Sequence, residues 1–372
     1  MNFNNRLKTI DIMKGLLITL VVIGHLPYFA ENSRTLTLIY SFHMPSFLII
    51  AGMLSHIDKN SRFSSILIKR FKNNLIPYFV FNIITFFIVP ITSSEQFYNA
   101  IKAMFYGIGN PVDSLNLPLW FLTLYFITML TYETIELISY KIAHAIGIKK
   151  SNLFTSFFSL ILVLILVCFS YQFQHSKGFN YKRLPFNIEV SMFCLLFVYF
   201  GKFIQLYILP LLFKIKKLGI LKYILAFTFT VSIIILSILW YIFSMKNGRI
   251  DINGINYKNP FLMHVNAING FIILSYISYL ISKIPHLSNF ISIIGQNSMY
   301  ILAYHVPSAY VIYQHILPRL PIIIATTLSH NSIYSVMLFT TLAITLSLIA
   351  CLIHKIIYEI IYQMYYKGYQ NH

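Results

Sequence analysis

Apolar stretches of about 20 residues recur along the chain and are separated by short polar connections. A helix of that length spans the hydrocarbon core of a bilayer. The pattern predicts an all-α fold, a polytopic transmembrane helical bundle of about ten spans that forms a single integral-membrane domain over residues 1–372. The predicted spans cover about residues 11–30, 36–56, 73–92, 117–139, 152–172, 184–206, 220–244, 260–282, 289–314 and 332–360.

Composition agrees with this pattern and charge adds an orientation. The chain is 58% hydrophobic and 10% charged, yet its formal net charge is +18. With the predicted spans, roughly twice as many lysines and arginines lie in the connections on the side of the N-terminus as on the opposite side. The positive-inside rule therefore predicts cytoplasmic termini and a multi-pass protein of the cell membrane. It also explains the basic charge without nucleic acid as a partner.

The first predicted span carries a stripe of polar side chains. Lys14 and His25 are separated by ten residues, so on a helix they lie about 20° apart after three turns. Asp11 precedes Lys14 by three residues and lies on the same face. Ionisable residues are costly inside a membrane and usually face a bundle interior or a water-filled path. The stripe therefore indicates chemistry or transport within the membrane.

Two further histidines are predicted to lie at the depth of His25. His43 is in the outer half of the second span and His305 is at a similar level in the ninth. The unperturbed pKa of histidine, about 6.5, allows it to accept and return a proton near neutral pH. A packing role for each histidine and a three-histidine metal site are the alternatives, but nothing here has the close spacing of many zinc motifs, so we expect no metal.

Other polar residues are candidates on either side of the predicted bundle. Arg70 lies in a basic segment before the third span, where the positive-inside rule or a phosphate-bearing donor explains it. On the outer side, Glu189 follows basic residues and could form a local ion pair or bind an acceptor. Ordinary loop and interface roles compete with sugar binding at the remaining outer candidates, which are Trp120, Arg249, Asp251 and Tyr257.

At these residues the chain resembles the membrane-bound acyltransferase-3 family, particularly its fucose 4-O-acetylase-like branch. Lys14 and His25 match the opening motif of a basic residue, ten intervening residues and a histidine. The motifs that follow in the order of the family are FHMPSFLIIAGM (42–53), KRFKNNLIPY (69–78), PLWFL (118–122) and GQNSMYILAYH (295–305). Position 14 is lysine where many members have arginine, and position 51 is alanine where the family often has serine.

The resemblance implies an integral-membrane O-acetyltransferase that moves an acyl group from cytoplasmic acetyl-CoA to a sugar hydroxyl of an envelope or exported polysaccharide. His25 would be the general base or carry the acyl group briefly, and His305 would assist it. Asp11, Lys14 and Arg70 would bind the donor. The implied acceptor-binding residues are His43, Trp120, Glu189, Arg249, Asp251 and Tyr257. Acetyl-CoA is a substrate here, and we expect no bound cofactor; a glycan or lipid-linked sugar is the expected acceptor.

Two other classes of function compete with this interpretation. A proton-coupled secondary transporter or glycan flippase also needs intramembrane acid–base residues. Such proteins often contain inverted repeats and helices broken at the midplane, and the sequence predicts neither here. An envelope-assembly protein without catalysis would leave the polar stripe of the first span unexplained.

Overall fold

The computed structural model divides the chain into two compact units. The central unit comprises Arg34–Tyr276, and the terminal unit comprises Asn2–Ser33 together with Ile277–His372. The described residues are 3–26, 33–58, 60–109, 113–148, 152–175, 183–215, 221–319 and 333–370. They contain helices and no β-strand, so the predicted all-α fold is confirmed.

The helices follow one another with short connections. In chain order they are α1 (Phe3–Gly24), α2 (Arg34–Tyr40), α3 (His43–Leu54), α4 (Phe63–Arg70), α5 (Ile76–Ile88), α6 (Ser94–Tyr106), α7 (Trp120–Ala145), α8 (Asn152–His175), α9 (Ile188–Phe193), α10 (Leu195–Phe203), α11 (Leu209–Ile215), α12 (Leu221–Asn247), α13 (Pro260–Ile281), α14 (Pro285–Gln296), α15 (Ser298–Val311) and α16 (Ile333–Gln370). A π-helical turn, Phe71–Leu75, joins α4 to α5.

Eight helical stretches of the described residues are long and apolar enough to cross a membrane. Large apolar side chains on them are exposed, for example Phe87 at 86% and Phe227 at 71%. In water such surfaces would be costly, whereas in a bilayer they contact acyl chains. The protein is therefore a polytopic helical membrane protein, as predicted.

Helix α1 and the ninth predicted span are not among these eight stretches. Lys8, Asp11 and Lys14 make α1 too polar to meet the same standard. The predicted continuous span 289–314 is two helices, α14 and α15, which meet at Asn297. The Asn297 side chain donates to the carbonyl of Ile293 at 2.8 Å, and asparagine competes with helical hydrogen bonds in this way.

A second break lies in the predicted span 184–206, where Cys194 separates α9 from α10. The prediction that the chain has no broken helices is therefore wrong. Both breaks fall inside apolar stretches, and hydropathy averaged over a window of residues does not reveal them.

Three predicted boundaries also differ. Helix α1 begins at Phe3 and ends at Gly24, so His25 lies just beyond it in a turn. Helix α4 begins at Phe63, which places Arg70 within a helical stretch rather than in a connection before it. The connection predicted at 93–116 contains helix α6, which Ser93 caps by accepting a hydrogen bond from the Gln96 N–H.

Close glycine contacts hold helices together within each unit. In the terminal unit, a Cβ atom added to Gly295 would overlap the backbone carbonyl of Asp11, and one added to Gly15 would overlap that of Ile291. The α1 backbone therefore lies directly against that of α14, which fixes the position of the Asp11–Lys14 segment. Small residues allow this kind of approach between membrane helices.

Candidate active site

The terminal unit brings together the two histidines that were predicted to be catalytic. The ring centroids of His25 and His305 are 5.1 Å apart in an edge-on arrangement. His25 is exposed, at the end of α1, whereas His305 is 2% exposed in the middle of α15. Two residues that are far apart in sequence thus form a single imidazole pair.

Local hydrogen bonds fix the tautomer of both rings. His25 Nδ1 lies 2.8 Å from the carbonyl oxygen of Val21, and His305 Nδ1 lies 2.9 Å from that of Ile301. Because a carbonyl can only accept, each Nδ1 carries the hydrogen, and in the neutral ring each Nε2 is the basic nitrogen. His305 Nε2 is buried and has no hydrogen-bond partner within the part of the chain that the structure describes.

Lys14 and Asp11, which the sequence placed on one face of the helix, form an ion pair on α1. Lys14 Nζ lies 3.0 Å from Asp11 Oδ1, and both side chains are partly exposed. The second carboxylate oxygen of Asp11 accepts a hydrogen bond from Gln296 Nε2 at 3.2 Å. Asp11 therefore connects the lysine to the end of α14, immediately before the break at Asn297.

His43 belongs to the central unit, so the meeting of all three histidines remains a prediction. Its Nδ1 donates to the carbonyl of Ile39 at 2.7 Å, as in the other two. The Tyr40 ring lies 5.0 Å from that of His43, and the Arg249 guanidinium carbon lies over the Tyr40 ring at 4.5 Å from its centroid. Tyr40, which sequence reasoning missed, thus connects two predicted acceptor residues.

Arg70 is held by a residue that the sequence analysis did not single out. Its Nε donates to Glu133 Oε2 at 2.8 Å, and a second guanidinium nitrogen bonds Glu133 Oε1. Lys69 Nζ lies 3.9 Å from the same oxygen. Glu133 is 1% exposed and lies inside α7, where an unpaired carboxylate would be costly. Glu133 lies 63 residues from Arg70 along the chain, so no local sequence pattern indicated that the two residues pair.

Glu189 forms the local ion pair that was one of its two predicted roles. Arg183 Nε donates to Glu189 Oε1 at 3.1 Å. The carboxylate is 2% exposed, and its other oxygen, Oε2, has no hydrogen-bond partner among the described residues. The turn between the two residues is held in an unusual shape, because Phe186 and Asn187 both have positive φ angles.

The remaining acceptor candidates make contacts within the protein. Asp251 Oδ1 accepts the Gly254 N–H at 3.0 Å, which stabilises the turn of residues 251–256. Tyr257 is buried and stacks on Phe193 with centroids 4.3 Å apart. Trp120 is half-buried at the start of α7, beside Gly109. A role of these three residues in binding remains a prediction.

The comparisons with known proteins place this arrangement in a family. A family model of the acyltransferase-3 type, described as an acyltransferase domain, matches residues 7–356. Neither the curated proteins nor the solved structures include a match to the chain. The family match covers nearly the whole chain, from α1 with Lys14 to α16, and includes both histidines of the pair. The chain therefore belongs to the acyltransferase-3 family of membrane acyltransferases.

Proposed function

We propose that this protein is an O-acetyltransferase that moves an acetyl group from cytoplasmic acetyl-CoA to a sugar hydroxyl of a cell-envelope or exported polysaccharide. The observation that carries the proposal is the His25–His305 pair, whose ring centroids are 5.1 Å apart, in a chain of an acyltransferase family. The motif order described above favours the fucose 4-O-acetylase-like branch. The cell membrane is the location in which such an enzyme meets both substrates.

In this proposal His25 acts as the general base. Its Nδ1–H is held by the Val21 carbonyl at 2.8 Å, so Nε2 takes the proton of the acceptor hydroxyl. The hydroxyl oxygen attacks the thioester carbonyl, the C–S bond breaks, and the proton returns to the leaving thiolate. The products are an O-acetyl sugar and coenzyme A.

His305 has the role of a positioning residue beside the base. Two imidazolium rings at this separation would repel each other, so the pair holds at most one positive charge at a time. The buried His305 ring, fixed by the Ile301 carbonyl, keeps the ring of His25 oriented toward the substrate. Lys14, held by Asp11, contributes a positive charge for the phosphates of the donor.

A labelled-substrate assay tests the proposal. The purified full chain, supplied with acetyl-CoA carrying a labelled acetyl group and with envelope polysaccharide, should transfer label to the polysaccharide. His25→Ala should abolish transfer, because a general base contributes about 10²–10⁴-fold. His286→Ala, which removes an exposed histidine from α14, is the matched control and should keep full transfer. Normal transfer by His25→Ala would contradict the assigned role.

A proton-coupled transporter or glycan flippase is the second candidate, and one observation favours it. The helix breaks at Asn297 and Cys194 are of the kind that line substrate sites in transporters. A transporter, however, leaves the thioester of acetyl-CoA intact with every acceptor. The same assay therefore separates the two functions, since only an acetyltransferase releases coenzyme A in proportion to labelled polysaccharide.

A further inference from the structure

Arg183 and Glu189 lie in a cluster of the central unit in which each side-chain nitrogen makes at least one hydrogen bond within the protein. The three guanidinium nitrogens of Arg183 donate to Glu189 Oε1, to the backbone carbonyl of Asn253 at 2.5 Å, and to Asn187 Oδ1. Asn253 Nδ2 donates to the Gly109 carbonyl at 3.0 Å. Gln174 Nε2 donates to the Glu189 carbonyl at 2.9 Å.

The groups of the same cluster that lack a partner are all acceptors. Glu189 Oε2, Gln174 Oε1 and Asn253 Oδ1 are buried and have no hydrogen-bond partner in the described part of the chain. The amide orientations are fixed, because the nitrogen of each amide faces a carbonyl that can only accept. A buried oxygen without a donor costs free energy, so the cluster is incomplete without a ligand or water that supplies O–H or N–H groups.

The charges of the cluster restrict the ligand further. Glu189 neutralises Arg183, and the oxygen that remains for a ligand belongs to the carboxylate. A carboxylate or phosphate of a ligand placed beside Glu189 Oε2 would be repelled by the Glu189 carboxylate, because the positive charge of Arg183 is already paired with it. A neutral sugar presents several hydroxyl donors on one ring and carries no charge, so it fits both requirements.

We propose that Glu189, Gln174 and Asn253, braced by Arg183, form a subsite for neutral sugars and discriminate against acidic ones. This proposal rests on the proposed function, because it defines the acceptor that the acetyltransferase uses. It adds Gln174, Asn253 and Arg183 to the predicted acceptor residue Glu189. It also limits the acceptor to glycans whose ring at this position bears hydroxyl groups and no acidic group.

Trp120 provides a direct measurement of binding. The Cβ atom of Trp120 packs on Gly109, whose carbonyl accepts the Asn253 side chain. The sequence contains two tryptophans, Trp120 and Trp240, so a Trp240→Phe background leaves Trp120 as the single indole fluorophore. Methyl glucoside and methyl glucuronide are suitable probes, because they share a ring and differ by a carboxylate. Thermal stabilisation of the unmodified full chain by each glycoside is the second measurement.

The neutral glucoside should change the Trp120 emission and raise the unfolding temperature, and the glucuronide should bind at least about tenfold more weakly. Glu189→Gln should weaken glucoside binding by about 10–100-fold, the usual loss for a hydrogen bond to a charged group. Gln174→Leu should weaken it less, because a neutral acceptor is removed. Glu95→Gln, an exposed carboxylate on α6, is the matched control and should bind as the parent does.

Three results would contradict the subsite. They are equal or tighter binding of the glucuronide, unchanged glucoside binding in Glu189→Gln, and no binding of either glycoside, which would mean that water alone completes the cluster.

Failure of the proposed function would give a different result. In that case glucoside binding still depends on Glu189 while no acetyl group is transferred. Conversely, transfer with an acceptor KM that Glu189→Gln leaves unchanged removes the subsite and keeps the acetyltransferase.

Discussion

The terminal unit contains a pair of imidazoles, whereas the central unit contains two buried carboxylates that are paired with arginines. His25 and His305 lie ring to ring, and each Nδ1 is fixed by a carbonyl of its own helix. Glu133 and Glu189 instead hold Arg70 and Arg183. A neutral imidazole can take up and return a proton without breaking an ion pair, while a buried ion pair is costly to separate. In the proposed function, this difference assigns proton transfer to the terminal unit and the positioning of charged groups to the central unit.

The largest effect should follow from replacing His305 with glutamine. Glutamine can donate and accept hydrogen bonds but does not reproduce the ring that orients His25, so we expect acetyl transfer to fall by about 10²-fold with the protein still folded. The measurement is the initial rate of labelled acetyl transfer, with the unfolding temperature recorded alongside. A rate within twofold of the parent would mean that acetyl transfer does not need His305, and would contradict the functional distinction between the two units.

His264 offers a matched control for this change. It lies in the central unit on α13, its Nδ1 lies 2.8 Å from the Pro260 carbonyl, and its Nε2 is buried without a partner among the described residues. The hydrogen-bond pattern of the ring is thus that of His305, but the neighbours of His264 are Phe193 and Phe197 rather than a second histidine. His264→Gln should keep acetyl transfer. If both variants lose transfer equally, buried histidines are needed for folding and the pair has no special role.

The next effect concerns the ion pair of the central unit. Glu133→Ala leaves the buried Arg70 guanidinium without its carboxylate, and we expect the free energy of unfolding to fall by about 3–5 kcal/mol. The double variant Arg70→Met/Glu133→Met removes both charges and should be much less destabilised than Glu133→Ala. Reversible unfolding in mixed micelles with increasing denaturing detergent measures both.

The double variant also tests the predicted role of Arg70 in binding the donor. If Arg70 serves only to pair with Glu133, the folded double variant keeps the KM for acetyl-CoA of the parent. If Arg70 contributes a charge to the donor phosphates, that KM rises by about tenfold, the expected loss for one charge-assisted hydrogen bond. A double variant less stable than Glu133→Ala would contradict the assignment of the pair as two charges that compensate each other.

The sequence predicted the apolar helices, the shared face of Asp11 and Lys14 and the similar depth of His25 and His305, because these depend on composition and on spacing along a helix. It did not predict Glu133 as the partner of Arg70, since the two residues meet only after α4 packs on α7. The break at Asn297 was missed for a related reason. A single asparagine within an apolar run changes the mean hydropathy little, although its side chain donates a hydrogen bond to a carbonyl of the helix backbone.

The smallest effect on stability should come from the ion pair of the terminal unit. The side chains of Lys14 and Asp11 are 25% and 19% exposed, and pairs of this kind contribute less than about 1 kcal/mol. Asp11→Asn keeps an acceptor for Gln296, so its unfolding temperature should stay close to that of the parent. The KM for acetyl-CoA should nevertheless rise several-fold, because Lys14 loses the carboxylate that orients it.

Two lysine variants separate orientation from charge. Lys14→Gln removes the positive charge and should raise the KM for acetyl-CoA more than Asp11→Asn does, with little change in stability. Lys14→Arg keeps the charge and adds a planar donor group that can bind a phosphate through two hydrogen bonds, so its KM should equal or fall below that of the parent. If all three variants have the parental KM, the pair on α1 has no part in donor binding, and the histidines alone distinguish the terminal unit from the central one.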